Sequence, residues 1–257
     1  MTGPILFCGD PHGQFRQAIQ SAGHTAAAAV VLLGDMEPPR PLEVEMAALA
    51  EGSVPWYFIG GNHDADSDEV ARRVWSEATQ AHNVHGRVAT LPGGLRLAGL
   101  AGVWRESVWY PSPSAAREGA PAWRSREEHA QHTPRQDRWL GTMPPRKHLG
   151  TIYYDEFEHL ADLRADILVS HEAGGYHPNG FPLLDDLARA MGAKWVIHGH
   201  HHDALDSRCE WSSQGFRSYG VGLRGVSALW PDDGRWEVVI KGELDDARIG
   251  RYRSGDS

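Results

Sequence analysis

Five short apolar runs, at residues 5–8, 30–33, 56–59, 167–169 and 195–197, each end abruptly in a polar cluster: GDPHG, GDMEP, GGNHD, SHEAGG and HGHHHD. Runs of this length, rich in Val, Ile and Leu and stopped by Gly and polar residues, read as strands buried on both faces. The stretches at 13–21, 41–51, 66–80, 153–164 and 183–191 are rich in Ala, Leu, Glu and Arg, several with an apolar residue every three or four positions, which predicts helices. Alternating strands and helices imply α/β layering, and ligands of such sheets bind beyond the carboxyl ends of the strands. All five polar clusters lie at those ends.

The pattern changes between residues 97 and 149, where Pro, Arg and Trp accumulate with little periodicity. Residues 105–150 are read as a cap-like insertion, with Val103 and Trp104 closing the strand before it; loops this long carry function or lack order. After His202, FRSYGVGLRGVSALW and RWEVVIKGEL predict Gly-punctuated strands forming a second sheet that completes a sandwich. The expectation is one domain over 1–250 and a mobile tail at 251–257, since 257 residues with 41% hydrophobic content lie near the upper limit for one core.

Charge and cysteine content narrow the function. The formal net charge of -9 disfavours a surface built for long nucleic acid, which depends on Lys and Arg. Cys8 and Cys209 belong to no CxxC pair, which argues against a zinc ribbon or disulfide framework and fits a reducing cytoplasm. The N-terminus lacks the features of a signal peptide, and no run reaches the roughly 18 apolar residues of a membrane helix.

The polar clusters carry chemistry when taken together. Asp10 and His12 are two residues apart at a strand end, so an extended backbone would point both to one side; His200 and His202 repeat the spacing. With Asp35, Asn62 and His171 they form a mixed oxygen and nitrogen set suited to Mn, Fe, Zn or a similar divalent metal. Seven ligands are too many for one ion and about right for two. Each cluster alone has a plainer explanation, as a turn or a surface histidine tract, but five strand-end coincidences in one order are improbable.

The ordered set resembles the signature of the calcineurin-like metallophosphoesterase family, DxH, GD, GNH[DE], H and GHxH, here Asp10-Pro11-His12, Gly34-Asp35, Gly61-Asn62-His63-Asp64, His171 and Gly199-His200-His201-His202. The resemblance implies two β-sheets flanked by helices, a four-layer αββα arrangement. It assigns Asp10, His12 and His202 to a first metal, Asn62, His171 and His200 to a second, and Asp35 to both, with manganese the first choice and Fe, Zn, Ni, Co or Mg as alternatives. Two such cations would share a hydroxide that attacks phosphorus in line and would clamp the reacting oxygens. His63 would be the general acid that protonates the departing oxygen, and not a ligand.

The implied activity is phosphoester hydrolysis, with a phosphomonoester favoured over a phosphodiester or nucleic-acid substrate, and a phosphorylated small molecule, nucleotide or protein as the partner. A non-catalytic metal-binding scaffold would be expected to have lost ligands or His63, and a metal-storage role for HGHHHD leaves Asn62 and His63 unexplained.

The chain departs from the family pattern in one respect. Many members extend the second motif to GDxxD, whose last acid orients the catalytic histidine; here Pro38 occupies that position, leaving Glu37 or Asp64 as substitutes. Arg105 reads either as an anion clamp or as a solvated side chain. Trp104, Trp109, Trp123 and Trp139 read as a small core of the insertion or as a stacking surface, and His129, His132 and His148 as surface residues.

Overall fold

Strand β1 (Ile5–Cys8) is buried on both faces, which explains why its apolar run is continuous rather than alternating. Leu6 and Cys8 point to one apolar layer, and Ile5 and Phe7 to another. This is a computed structural model that describes residues 3–111, 119–205 and 207–248.

Strands β2 (Ala29–Leu32) and β3 (Trp56–Phe58) lie parallel beside β1. Strands β4 (Val88–Thr90), β5 (Arg96–Leu100), β6 (Ile167–Ser170), β7 (Trp195–His198) and β8 (Arg217–Gly220) form a second sheet in that order, parallel except for β4. Strands β9 (Val226–Trp230) and β10 (Arg235–Ile240) return antiparallel to the free side of β1, completing the order β10-β9-β1-β2-β3.

The late strands therefore do not make a sheet of their own, contrary to the sequence expectation. They are divided between two five-stranded sheets, as are the strands that carry the polar clusters. An open parallel edge at β1 exposes unpaired backbone groups, and the β9–β10 hairpin covers it.

Three apolar layers follow from this arrangement. Ile5, Phe7, Val31 and Leu33 meet Leu97, Ile167, Val169 and Ile197 between the sheets. Helices α1 (Arg16–Thr25), α2 (Leu42–Glu45), α3 (Ala47–Glu51) and α4 (Asp68–Val74) cover the outer face of the first sheet. The predicted helix at 41–51 is thus two short helices meeting at Met46, and that at 66–80 is shorter than expected. Helices α6 (Tyr154–Ala161) and α7 (Pro182–Met191) cover the second sheet through Leu160, Leu184, Leu187 and Met191, each side chain contributing about 1.5–3 kcal/mol on burial. The result is two sheets flanked by helices.

Within the segment at 105–150, helix α5 (Arg126–His132) begins at Ser125, whose Oγ accepts the Glu128 N–H at 2.9 Å. Arg126 holds the following loop by donating to the carbonyls of His148 (2.7 Å) and Thr151 (2.9 Å) while pairing with Glu156. His129 and His148 are buried rather than at the surface, because Trp123 stacks on His129 and the His129 and His148 rings meet edge to face. Trp104 and Trp109 join the apolar layer outside the second sheet, and Trp139 packs with Ala65, Ala71 and Leu149. Part of this segment, 112–118, and the tail at 251–257 lie outside the described residues. Among the described residues no helix is long and apolar enough to cross a membrane.

Candidate metal centre and its surroundings

The eight residues picked out by the motifs come together past the carboxyl ends of β1, β2, β3, β6 and β7, at one edge of the sandwich. They arrive there by an unexpected backbone route. Asp10, His12, Asp35, His200 and His202 all have positive φ, between 41° and 63°, and Glu37 joins them at 40°. The DxH and HxH pairs are therefore not extended strand, as the two-residue spacing had implied. Left-handed turns just beyond the strands aim the side chains inward, and such conformations persist in non-glycine residues only where surrounding bonds over-determine them. Those bonds are present: the His12 N–H donates to the Asp35 carbonyl at 3.0 Å and the Gly13 N–H to Met36 at 2.8 Å.

The ligand atoms form two groups that share Asp35. One is His12, Asp35 and His202; the other is Asp35, His171 and His200; in each, one potential ligand atom from every residue lies within 4.8 Å of the rest. The Nε2 atoms of His12 and His202 approach to 3.5 Å. His171 gives its Nδ1–H to the Leu33 carbonyl (2.7 Å), which leaves Nε2 facing Asn62 Oδ1 at 3.2 Å and Asp35 Oδ2 at 3.3 Å. Asp10 is buried beside them, its Oδ1 accepting the His200 N–H at 2.9 Å.

Small residues make this packing possible. A Cβ on Gly34, whose φ is +100°, would lie 2.4 Å from His171 Nδ1, and one on Gly61 would lie 2.2 Å from Asp35 Oδ1. The glycines of the GD and GN motifs thus leave room for ligand side chains to fold over neighbouring backbone.

Among the described residues buried Asp10 Oδ2 has no hydrogen-bond partner and Asp35 Oδ2 meets only the imidazole of His171 at 3.3 Å, a costly state for carboxylate oxygens that a cation would relieve. Burial pushes Asp10 up to about 7, against the pull of His171. Asp35, although buried, is held below the usual carboxylate range by His171, and His171 is driven up, against the effect of burial, by Asp35 and Asp10. The cluster draws positive charge to itself. Oxygen and imidazole donors of this kind fit divalent metals.

The acids around the ligands divide three tasks. Glu37 pairs with Nδ1 of His12, fixing that ring and leaving Nε2 for the centre. Asp64 is fully buried and accepts three backbone N–H groups, from Met36 (2.7 Å), Glu37 (3.0 Å) and Gly61 (2.8 Å), tying the second cluster loop to the third. Asp64 makes no hydrogen bond to the ring of His63 among the described residues, and Glu37 has a carboxylate oxygen within 4.8 Å of a His63 ring nitrogen without bonding to it. That bond belongs to Asp66, whose Oδ2 lies 2.6 Å from His63 Nδ1, while Asp35 accepts the backbone N–H of His63 at 2.8 Å. Asp66 had no motif to mark it; its one signal is the i,i+3 spacing from His63, which the short helical turn His63–Ala65 brings to one side. His198 and His177 are buried, and His177 stacks on His201 with ring centroids 3.9 Å apart.

A cavity of about 340 Å³ opens beside Asn62 and His200, its walls including Trp104, Arg105, Glu172 and Phe181. Glu172 is another residue that sequence reasoning missed. Its Oε1 accepts the Trp104 N–H at 3.3 Å, and its Oε2 lies 3.9 Å from His200 Nε2.

Comparisons with known proteins agree with this geometry. The chain is 35% identical to an uncharacterized protein of Haemophilus influenzae over 218 residues, 83% of this chain and 92% of the relative. Its fold is similar to TT1561 of Thermus thermophilus (TM-score 0.58, 16% identity, covering 93% of this chain and 99% of the other). It is also similar to a dimetal phosphatase from Danio rerio (TM-score 0.54, 16% identity, 95% and 97%). At these identities the two structures speak for the fold alone. The sequence pattern of the calcineurin-like phosphoesterases matches residues 3–204, and the chain belongs to that family, whose members carry out metal-dependent hydrolysis of phosphoesters.

Proposed function

We propose that this chain is a dinuclear phosphoesterase of phosphorylated small molecules, nucleotides or proteins, with phosphomonoesters favoured over phosphodiesters. The observation that carries the proposal is the pair of ligand groups sharing Asp35, with buried Asp10 beside His171 and its Oδ2 without a hydrogen-bond partner among the described residues. Asp10, His12 and His202 would hold one divalent cation, Asn62, His171 and His200 a second, and Asp35 both. Manganese is the first choice, with Fe, Zn, Ni, Co or Mg as alternatives. The Danio rerio relative in fold is a dimetal phosphatase by its own description. When bound, such a pair supplies Lewis acidity and an activated water to an in-line displacement.

The chain's own residues supply orientation and a proton. Asn62, whose Oδ1 lies 3.2 Å from His171 Nε2, would offer its amide to both cation and phosphate. His63, with Nδ1 engaged by Asp66, has Nε2 left to protonate the departing oxygen. The segment at 105–150 acts as a cap that selects the substrate, within a single domain over 1–250. The two unpaired cysteines fit a cytoplasmic setting.

The test is metal content together with turnover. The purified protein should carry close to two divalent ions per chain (about two, as in-line two-metal sites do) and hydrolyse 4-nitrophenyl phosphate. No turnover with any of Mn, Fe, Co, Ni, Zn or Mg supplied sinks the proposal. His63→Ala should keep the metals and lose activity mainly on alkyl phosphates, whose leaving groups need a proton; loss of the metals would place His63 among the ligands instead.

A further inference from the structure

The side chain of Arg105 is a cationic group in the cavity beside Asn62 that the proposed chemistry leaves unused. It is half-buried and enters the 340 Å³ space shared with Asn62 and His200. Its Nε donates to Thr151 Oγ1 at 3.1 Å, and the guanidinium forms no ion pair among the described residues.

Backbone on three sides fixes its distance from the centre. The Gly102 N–H donates to the Gly60 carbonyl at 2.8 Å, and the Val103 N–H to the Gly150 carbonyl at 3.1 Å. A Cβ on Gly150 would lie 2.3 Å from the Gly61 carbonyl oxygen and 3.1 Å from Asn62 Cα, so the segment carrying Thr151 is pressed against the Asn62 loop. Arg126 clamps that segment through the Thr151 carbonyl. Arg105 is thus held by Thr151, Thr151 by Arg126, and the loop of Asn62 by Gly102 and Gly150. The carboxylate of Glu172 lies in the same cavity, turned to the Trp104 N–H and the imidazoles of His200 and His201 at 3.3, 3.9 and 4.0 Å; it feels the charge of Arg105 without forming an ion pair with it.

A guanidinium whose terminal nitrogens have no hydrogen-bond partner among the described residues, anchored beside an amide proposed to meet phosphate, is built to take an anionic oxygen. We propose that Arg105 grips a terminal oxygen of a dianionic phosphate monoester and is the residue that sets the preference for monoesters over diesters. This inference rests on the phosphoesterase reading above. A monoester presents three unesterified oxygens, so one remains for Arg105 when the others are taken at the centre. In a diester that third oxygen carries a second organic group and no charge, and pressing it against Arg105 leaves the guanidinium without its water or an anion.

The experiment compares 4-nitrophenyl phosphate with bis(4-nitrophenyl) phosphate for the manganese-loaded wild type, Arg105→Met and Arg105→Lys, and titrates inorganic phosphate into each by calorimetry. Arg105→Met should lower kcat/KM for the monoester about 100-fold and weaken phosphate binding about 10-fold, while changing the diester by less than about threefold. Arg105→Lys, which keeps the charge but not the fork, should fall between, and guards against a folding defect in Arg105→Met. Equal losses on both substrates, a selective loss on the diester, or no loss at all would overturn the assignment. If the wild type turns over neither substrate, the phosphoesterase reading fails, whereas unchanged phosphate binding in both variants refutes the role of Arg105 by itself.

Discussion

Asp66 Oδ2 lies 2.6 Å from Nδ1 of His63, on the side of the ring opposite the nitrogen proposed to protonate the leaving group. The position where many relatives place the orienting acid is Pro38 here, and its carbonyl is instead an acceptor for Arg73 at 3.2 Å. The acid bonded to the ring lies three residues after the histidine, on the same short turn.

Asp66→Asn should therefore lower kcat on alkyl phosphates by about 10- to 100-fold and affect activated aryl phosphates much less, because only the former need proton donation to the leaving group. Although partial burial opposes it, the hydrogen bond to Asp66 and nearby carboxylates raise the pKa of His63. A raised value keeps the acid form present to higher pH, so removing Asp66 should shift the alkaline limb of the kcat profile downward. An unshifted limb with equal losses on both substrates would mean a structural role only.

Asp64 is the tie between two ligand loops. Asp64→Ala would leave the N–H groups of Met36, Glu37 and Gly61 without their acceptor and should cost about 2–4 kcal/mol in urea unfolding, with reduced metal retention. A change below ~0.5 kcal/mol would contradict the buried role.

Glu156 gives a pH signature away from the centre. Burial alone would raise its pKa, but Arg126 and His85 hold it at about 2, below its ordinary 4.5. A depressed carboxylate stabilises the fold above its unfolded value and loses that contribution as pH falls from 4.5 through about 2. The full contribution at neutral pH is roughly 3 kcal/mol, at about 1.4 kcal/mol per unit. Glu156→Gln should be less stable than wild type at pH 7, and the gap should narrow by about half at pH 3 in urea unfolding. A gap independent of pH would show that the pair does not carry the difference. The same variant should loosen the loop at 148–151, since Arg126 holds its carbonyls.

Metal binding should release protons. Asp10 is pushed up to about 7 by burial, so its carboxyl is partly protonated at neutral pH, and His171 is raised by Asp35 and Asp10; a cation would compete for these protons. Calorimetric titration of the apoprotein with Mn²⁺ should give heats that depend on the buffer's ionisation enthalpy, and chelation should lower Tm. Loading at 100 times Kd corresponds to about 2.7 kcal/mol for each site. Asp35→Asn should weaken both ions and His202→Ala mainly one; identical losses would count against the shared role of Asp35.

The polar clusters after 5–8, 30–33, 56–59, 167–169 and 195–197 were legible because buried strands need apolar residues and a sheet delivers ligands at its carboxyl edge. The same pattern placed Asp10, His12, Asp35, Asn62, His63, His171, His200 and His202 at one edge. It could not say which sheet each strand joins. The hairpin of β9 and β10 belongs beside β1 because of the edge it covers, and that edge exists only once β1–β3 have separated from β5–β8.

By itself, the sequence determined the layering, the family and the set of candidate ligands, since these depend on local periodicity and on residue types at short spacing. Only the tertiary structure decided which acid serves which group: Glu37 for His12, Asp64 for three backbone amides, Asp66 for His63. The left-handed turns at Asp10, His12, Asp35, His200 and His202 were likewise invisible, because nothing in a non-glycine residue announces a positive φ that long-range bonds impose. Hydrogen bonding reads distance and direction in space. Sequence spacing fixes neither once the chain has crossed from one sheet to the other.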